Sequence, residues 1–527
     1  MSHPRRMVAV LAIALVLLPL AASAPLFDPD EGLHAAIAQE MVRTGDYVTP
    51  RFLGEPFLDK PILFFWAEAL SLRIFGMHEA GVRLPPLLFG LLGTIGVVLL
   101  GRALFDESTG LCAGIAYATM ALPLAVSEMA IHDVGLVPFM CLAAWMLTKV
   151  WRGGGVWLPA LVAGGSLGLS VLTKGLVGIV FVGIYAVCLV AARRDTLARV
   201  AIALSIAVAL AVLVAAPWYV AMEHAHPGYL HYYFIERHLQ GYLTATQRHA
   251  GRPWWYYLPI VIGGALPWTG YLAEAARRMV DDPLRLAVWG WFAIGLIFLS
   301  LGESKLVTYA LPLFPALAIL AGGQISRAFT PSTGFALHVF SLAALPIAGL
   351  LLLQARFGDV SPSLWPFAAL AGVLVVAAGW RMRRSTVPDR LIDGIVWMSI
   401  VAMVGVSVVT PRAAVWMTGR DLARALNASA VLPPRILIVD ERFGSVVFYL
   451  SPALRDQLTG ESIRSVSLAD LIQRVRVEPA DAIVAIRATH LPRLARLVAA
   501  PPVPEAAAGT FRLYRAGALR AALQARP

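Results

Sequence analysis

A few charged residues stand apart in a chain that is otherwise apolar. Asp30-Glu31, Asp59-Lys60-Pro61, His132-Asp133, Lys174, Glu236-Arg237-His238 and Lys305, with Tyr309 close behind, lie between or at the edges of long hydrophobic stretches. A carboxylate in such a place can take a proton from an attacking group. A lysine or arginine can hold a phosphate. A rim that mixes the two suits a ligand with a phosphate head and a lipid tail. Lysine is informative because it is rare: of 43 basic residues only Lys60, Lys149, Lys174 and Lys305 are lysines. A compact ammonium is chosen where a planar guanidinium fork fits less well.

The remaining sequence says what must position these groups. Of 527 residues, 59% are hydrophobic and 14% charged, and the mean hydropathy is +0.73. These values exclude a soluble enzyme, a disordered chain and a fibre, and point to an integral membrane protein. The net charge of +11 then reads as basic cytoplasmic loops rather than nucleic-acid binding. Cys112, Cys141 and Cys188 all lie in apolar stretches, which gives neither a disulfide framework nor a metal cluster.

Apolar windows long enough to span a bilayer number about thirteen, at roughly 7–27, 83–104, 110–128, 132–151, 156–173, 175–192, 198–220, 255–275, 285–302, 304–323, 332–355, 363–382 and 391–410. The first follows Arg5-Arg6 and ends near Ala22-Ser23-Ala24, which resembles a signal cleavage site; Pro25 directly after it predicts a retained helix. With the N-terminus cytoplasmic, the short inner loops hold Arg5, Arg6, Arg102, Lys149, Arg152, Arg193, Arg194, Arg199, Arg277, Arg278, Arg327, Arg381 and Arg383, as the positive-inside rule requires. The singled-out charges then gather at the opposite, periplasmic face.

Two outer loops, 28–82 and 221–254, belong to this membrane part, residues 1–411. In the first, Asp30–Thr44 places Leu33, Ala36, Ile37 and Met41 on one face, with Glu31, Gln39 and Arg43 opposite, which predicts a helix lying along the membrane surface. A second is expected from Pro61 onward, with Lys60 just before it. Residues 412–527 differ in composition. Arg435–Asp440, Ala482–Arg487 and Phe511–Arg515 read as strands, and Leu468–Val475 and Leu491–Leu497 as helices, so a small periplasmic α/β domain is expected. Trp254, Trp255, Tyr256 and Tyr257 read as an interfacial aromatic belt.

Asp30-Glu31, the amphipathic stretch after it, Gly45-Asp46-Tyr47-Val48-Thr49-Pro50 and Asp59-Lys60-Pro61 together resemble the first periplasmic loop of the 4-amino-4-deoxy-L-arabinose lipid A transferases. Those enzymes are C-type glycosyltransferases (GT-C) of the protein O-mannosyltransferase-like superfamily. Further motifs follow in order: Asp133, Leu172-Thr173-Lys174-Gly175, Glu236–Tyr257 with Pro267-Trp268, and Ser304-Lys305-Leu306 with Tyr309 and Leu311-Pro312. Where the family carries an arginine and a tyrosine after the acidic pair, Leu33 and His34 stand here, and its Glu-Lys-Pro is Asp59-Lys60-Pro61.

The resemblance implies an all-α polytopic GT-C enzyme of the bacterial inner membrane. It would move a sugar from an undecaprenyl-phosphate donor to a lipid A-like or other periplasmic acceptor by an inverting single displacement. It gives Asp30 and Asp133 as catalytic groups. Lys60 is the candidate for the leaving phosphate, with Lys174 or Arg237 helping, and Glu31, Lys305 and Tyr309 complete the substrate site. No cofactor is required, though the Asp59 and His238 positions match a pair that can hold a divalent metal such as zinc or magnesium. Two other readings stand beside this one. A protein O-mannosyltransferase would share Asp30 and the lysines but add a peptide groove. A flippase or transporter of a lipid-linked anion would place charges near the midplane and show internal repeats; the charges here gather at one face and no repeat is visible, which favours an enzyme.

Overall fold

The computed structural model describes residues 3–21, 24–245, 249–327, 333–357, 362–383, 388–429, 431–497 and 502–524. Helix α1 (His3–Ala21) opens a helical bundle; Ala22 and Ser23 of the cleavage-like site lie outside the described residues. The chain then leaves the bundle for α2 (Asp30–Thr44), a hairpin of β1 (Arg51–Phe52) and β2 (Glu55–Pro56), and α3 (Leu63–Phe75). It returns as α4 (Glu79–Leu104), α5 (Glu107–Thr119), α6 (Ala121–Ser127), α7 (Asp133–Trp151), α8 (Trp157–Lys174), α9 (Val177–Ala192) and α10 (Leu197–Ala225). A π-helix, His231–Gln240, runs into the single turn α11 (Gly241–Leu243). The bundle continues with α12 (Tyr257–Gly264), α13 (Thr269–Ala276), α14 (Pro283–Leu301), a 3-10 segment Val307–Leu313 leading into α15 (Phe314–Ile325), α16 (Thr333–Phe357), α17 (Leu364–Arg383) and α18 (Pro388–Ala414). Helix α7 is packed by α4, α8 and α9.

Each expected span falls on helical chain, but not each is one long helix. Among the described residues eight helices are long and apolar enough to cross a membrane, or nine if α5 and α6, bent by 65°, form one span. Helix α9 is apolar but has only 16 residues, and the 255–275 window is divided between α12 and α13, of 8 residues each.

The C-terminal part folds around a five-stranded sheet of β3 (Ile436–Val439), β4 (Ile463–Val466), β5 (Ile483–Arg487), β6 (Ala506–Ala508) and β7 (Phe511–Arg515), in the order β4-β3-β5-β7-β6. Strand β3 runs parallel to β4 and β5, while β7 is antiparallel to β5 and β6. Strands β3 and β5 are buried along their whole length, as parallel strands covered on both faces must be. Helices Leu468–Val477 and Ala516–Gln524 close one face over Leu437, Val439 and Val484. The other face, with Ile436 and Ile438, is continuous with the bundle core through α19 (Arg420–Asn427) and α20 (Gly444–Tyr449).

Helix α2 forms where its period predicts, with Asp30 and Glu31 in its first turn, where the helix dipole favours acids. It does not present a polar face to water, however: Glu31, His34, Gln39 and Glu40 are all buried. The reason is α20, which lies against it. Gln39 donates to the Phe448 carbonyl at 3.3 Å, and Asp28, just before α2, accepts the Ser445 N–H at 3.0 Å and the Ser445 hydroxyl. On the bundle side, Arg83 of α4 forks onto both Glu31 oxygens at 2.8 Å and also donates to the Ala24 and Pro25 carbonyls. Glu31 was expected at the substrate; its carboxylate is fully enclosed and taken up by Arg83 and the Phe27 N–H, so it holds the loop instead.

Removing one member of a buried ion pair leaves the other charge uncompensated, at ~3–5 kcal/mol. Arg83→Met should therefore lower the melting temperature of the detergent-solubilised protein strongly, and adding Glu31→Gln should recover much of the loss. Two independent, additive losses would contradict the pairing. Burial lifts Asp28 to about 7, against the pull of its Ser445 bonds. A raised folded-state value means stability that is full at low pH and lost as pH rises through about 7. The melting temperature of the wild type minus that of Asp28→Asn, which is neutral throughout, should accordingly fall between about pH 4 and pH 8. A difference that is flat or rising over this range would show that Asp28 ionises freely.

Candidate active site

The retained candidates sit at helix ends that converge on one edge of the bundle. Asp133 is the first residue of α7 and Lys174 the last of α8. These two helices are packed neighbours, so the start of one lies beside the end of the other. An acid at a helix N-terminus and a cation at a C-terminus each suit the local dipole. The Lys174 ammonium bonds Asp133 Oδ1 directly, and both side chains are largely enclosed. Thr308 also acts on the Asp133 carboxylate. Tyr309, from the same 3-10 segment, lies under the Lys174 ammonium, with its ring centroid 4.4 Å away. Gly175 ends α8 with φ +71°, and a Cβ there would strike the His238 ring, so only glycine lets the π-helix approach.

Lys60 lies between the hairpin and α3 and is half-buried. It makes no hydrogen bond or ion pair with the described residues. Its charge is felt at Asp133, Lys174, His34, His132 and His238, so it belongs to the same group. The neighbouring acid does not neutralise it. Asp59 is held by the Tyr232 hydroxyl at 2.6 Å and by Arg237 at 3.1 Å. That clamp ties the π-helix to the first loop and turns Asp59 away from a ligand role. Asp30, by contrast, is exposed and has no partner among the described residues, although its charge acts on His34 one turn along α2.

Beneath these charges lies a packed ring cluster. His34 bonds the Ala130 carbonyl through Nδ1 at 2.8 Å. Its ring meets that of His132 at 4.5 Å, and Phe64 and Phe65 lie against His132 at 4.6 Å each. Burial holds the His34 imidazole below its ordinary value and therefore neutral, with Asp30 pulling the other way. His34 is thus structural floor rather than a ligand.

The expected metal pair does not fit. Asp59 already faces a guanidinium and a phenol. His238 Nδ1 is engaged by the Tyr233 carbonyl at 2.7 Å, and burial keeps its imidazole neutral. Among the described residues no group of three or more His, Cys, Asp or Glu could hold an ion. Lys305 is also placed otherwise than expected. It is buried, its ammonium reaches the Arg252 carbonyl at 3.4 Å and its N–H bonds the His249 carbonyl at 3.2 Å; it pins the 249–252 loop. Trp254 and Trp255 are exposed, as a belt requires, but Tyr257 is fully buried. Arg83 and Ser445 were not anticipated. The first carried a signal, since an arginine opening an apolar span on the cation-poor side is unusual.

The family model for dolichyl-phosphate-mannose-protein mannosyltransferases matches residues 59–220, from the Asp59-Lys60 pair through α10. A crystal structure of ArnT from Cupriavidus metallidurans bound to undecaprenyl phosphate superposes with a TM-score of 0.73 at 24% identity, covering 96% of each chain; the fold is shared. Curated relatives are named undecaprenyl phosphate-alpha-4-amino-4-deoxy-L-arabinose arabinosyl transferase. The protein of that name from Erwinia tasmaniensis is 29% identical over 439 residues, 80% of this chain and 75% of that one. The one from Aeromonas salmonicida is 32% identical over 381 residues, 68% of each chain. On that identity and coverage, the chain belongs to the undecaprenyl phosphate-aminoarabinose arabinosyl transferase family.

Proposed function

We propose that this protein is a polyprenyl-phosphate-dependent glycosyltransferase of the bacterial inner membrane. It takes a sugar from an undecaprenyl-phosphate donor and passes it, with inversion, to a lipid A-like or other periplasmic acceptor. On this reading the chain crosses the membrane about thirteen times, with a cytoplasmic N-terminus and a periplasmic C-terminal domain from 412, and the site opens at the outer face. Membership in a family of transferases sets the transport reading aside, and the sugar in the relatives' names, 4-amino-4-deoxy-L-arabinose, is the first donor to test.

The observation that carries this reading is the ammonium of Lys60, unpaired among the described residues, beside a neutralised Lys174–Asp133 pair. In the displacement, the acceptor oxygen attacks the anomeric carbon and the bond from that carbon to the phosphate oxygen breaks. The phosphodiester, with one negative charge, leaves as a phosphate monoester with two. A preorganised cation at the place where charge develops carries the largest share of such catalysis, and Lys60 is the group in reach without a competing carboxylate. The leaving group is stable as an anion, so no acid is required. The acceptor hydroxyl proton goes to Asp30, whose carboxylate is exposed and has no partner among the described residues. Where the acceptor is an already ionised phosphate, Asp30 orients it instead. Asp133 holds Lys174 in place, and Tyr309 supports the ammonium from below.

Transfer of radiolabelled sugar from synthetic undecaprenyl-phosphate sugars, in proteoliposomes with envelope lipid, tests the reading. Lys60→Ala should reduce kcat by about 10²–10³-fold, and Asp30→Asn by about 10²–10⁴-fold when the acceptor is a hydroxyl. Full activity in both variants would remove the site assignment and leave the reaction. Absence of transfer from every donor, with movement of lipid-linked sugar between leaflets, would remove the enzyme reading itself.

A further inference from the structure

Residues 28–32 are gripped from two directions, and of the three acids among them Asp30 is left out. On the bundle side Glu31 is locked to Arg83. On the other side the grip belongs entirely to the C-terminal unit. Asp28 accepts the Ser445 N–H and hydroxyl, its own N–H donates to the Met417 carbonyl at 2.7 Å, and Ser445 Oγ accepts the Gly419 N–H at 2.7 Å. Gly32 meets Gly444 where α2 crosses α20. A Cβ on Gly32 would strike the Ser445 nitrogen, and one on Gly444 would strike the Leu33 nitrogen, so the two backbones touch with no side chain between them. The residues two before and two after Asp30 are therefore fixed by the C-terminal unit, and the one next to it by the membrane bundle. Of the three acids in this segment only Asp30 is exposed, and it has no partner among the described residues.

Docking two units needs only apolar area, and Val446, Val447 and Phe448 of α20 already provide it. A closed polar network and a glycine-on-glycine crossing do something different: they forbid sliding and rotation of the first turn of α2. Catalytic groups tolerate little misplacement, and a shift of about 1 Å can reduce a rate by about 10²-fold.

We propose that Ser445, together with the Gly32–Gly444 crossing, is a positioning element for the Asp30 carboxylate, so that the C-terminal unit completes the active site rather than standing apart as an accessory. This rests on the reading of Asp30 as the group that meets the acceptor.

The full-length protein in the proteoliposome assay tests it, with Ser445→Ala, Gly444→Ala, Asp30→Asn, Asp30→Glu and the double variant Ser445→Ala/Asp30→Glu. Ser445→Ala should lower kcat about tenfold, with KM for the polyprenyl-phosphate donor unchanged and cooperative melting retained. Gly444→Ala, which forces the crossing apart, should lower kcat further. In the Asp30→Glu background, where the carboxylate is already displaced by a methylene, Ser445→Ala should remove little more. Losses that multiply in the double variant would make Ser445 a purely structural residue and overturn the proposal. So would an unchanged kcat in Ser445→Ala, or an effect confined to KM for the acceptor. Asp30→Asn measured alone separates the two levels: full activity there removes the role of Asp30 and the proposal with it, whereas an inactive Asp30→Asn beside a fully active Ser445→Ala removes only the positioning.

Discussion

A carboxylate with no solvent exposure stays ionised only when a cation meets it, and the meeting of Glu31 with Arg83 decides where the first extramembrane segment lies. Charge burial of this kind is tolerated only when the pair is well hydrogen-bonded. Here both carboxylate oxygens are filled by the guanidinium fork, and the remaining guanidinium protons reach two backbone carbonyls, those of Ala24 and Pro25. One interaction thus ties the end of the α1 connection, the first turn of α2 and the start of α4. The elements that follow inherit that anchor. Helix α3 packs on α2, the hairpin lies beside it and α20 covers its remaining face.

The sequence made the site's charge pattern legible where position alone carried it. Asp133 and Lys174 border apolar spans, and a border charge falls at a helix end, so both are found there. Lys60 was legible for the same reason, at the start of a helix after Asp-Lys-Pro. Glu31 and Lys305 were misread because a sequence does not say which partner a charge faces. Arg83 lies 52 positions from Glu31, and the partner of Lys305 is a backbone carbonyl. The amphipathic reading of α2 found its bounds but not its burial, since the surface it meets comes from more than 400 positions away.

Fold legibility followed the same rule. Strand β3 is an unbroken apolar run and β5 is one up to its last residue, Arg487, so both were readable, whereas β4 (Ile463–Val466) holds an arginine and a serine and β6 is three alanines. Span counting reached the right stretches but not their continuity. Local backbone breaks, such as the bend between α5 and α6 and the division of α12 from α13, are set by packing and carry little hydropathy signal.

The arrangement of the two lysines follows from the charge balance of the proposed reaction. Lys60, Lys174 and Asp133 together carry a net positive charge of one unit at rest, because Asp133 cancels Lys174. A phosphodiester donor brings one negative charge, which offsets the net charge of these three residues and leaves no excess attraction from them to hold the substrate back. As the bond to the anomeric carbon breaks, the phosphate gains a second charge. In the proposed step Lys174 is drawn between its acid and the phosphate, while Lys60, with no carboxylate partner among the described residues, meets the phosphate directly. Attraction that grows only as the bond breaks raises the rate rather than the affinity. A second unpaired lysine would tighten binding of donor and of spent carrier alike, and slow the release of the carrier. The Asp133–Lys174 pair is therefore best understood as a reserve of positive charge, held neutral until the leaving group calls on it.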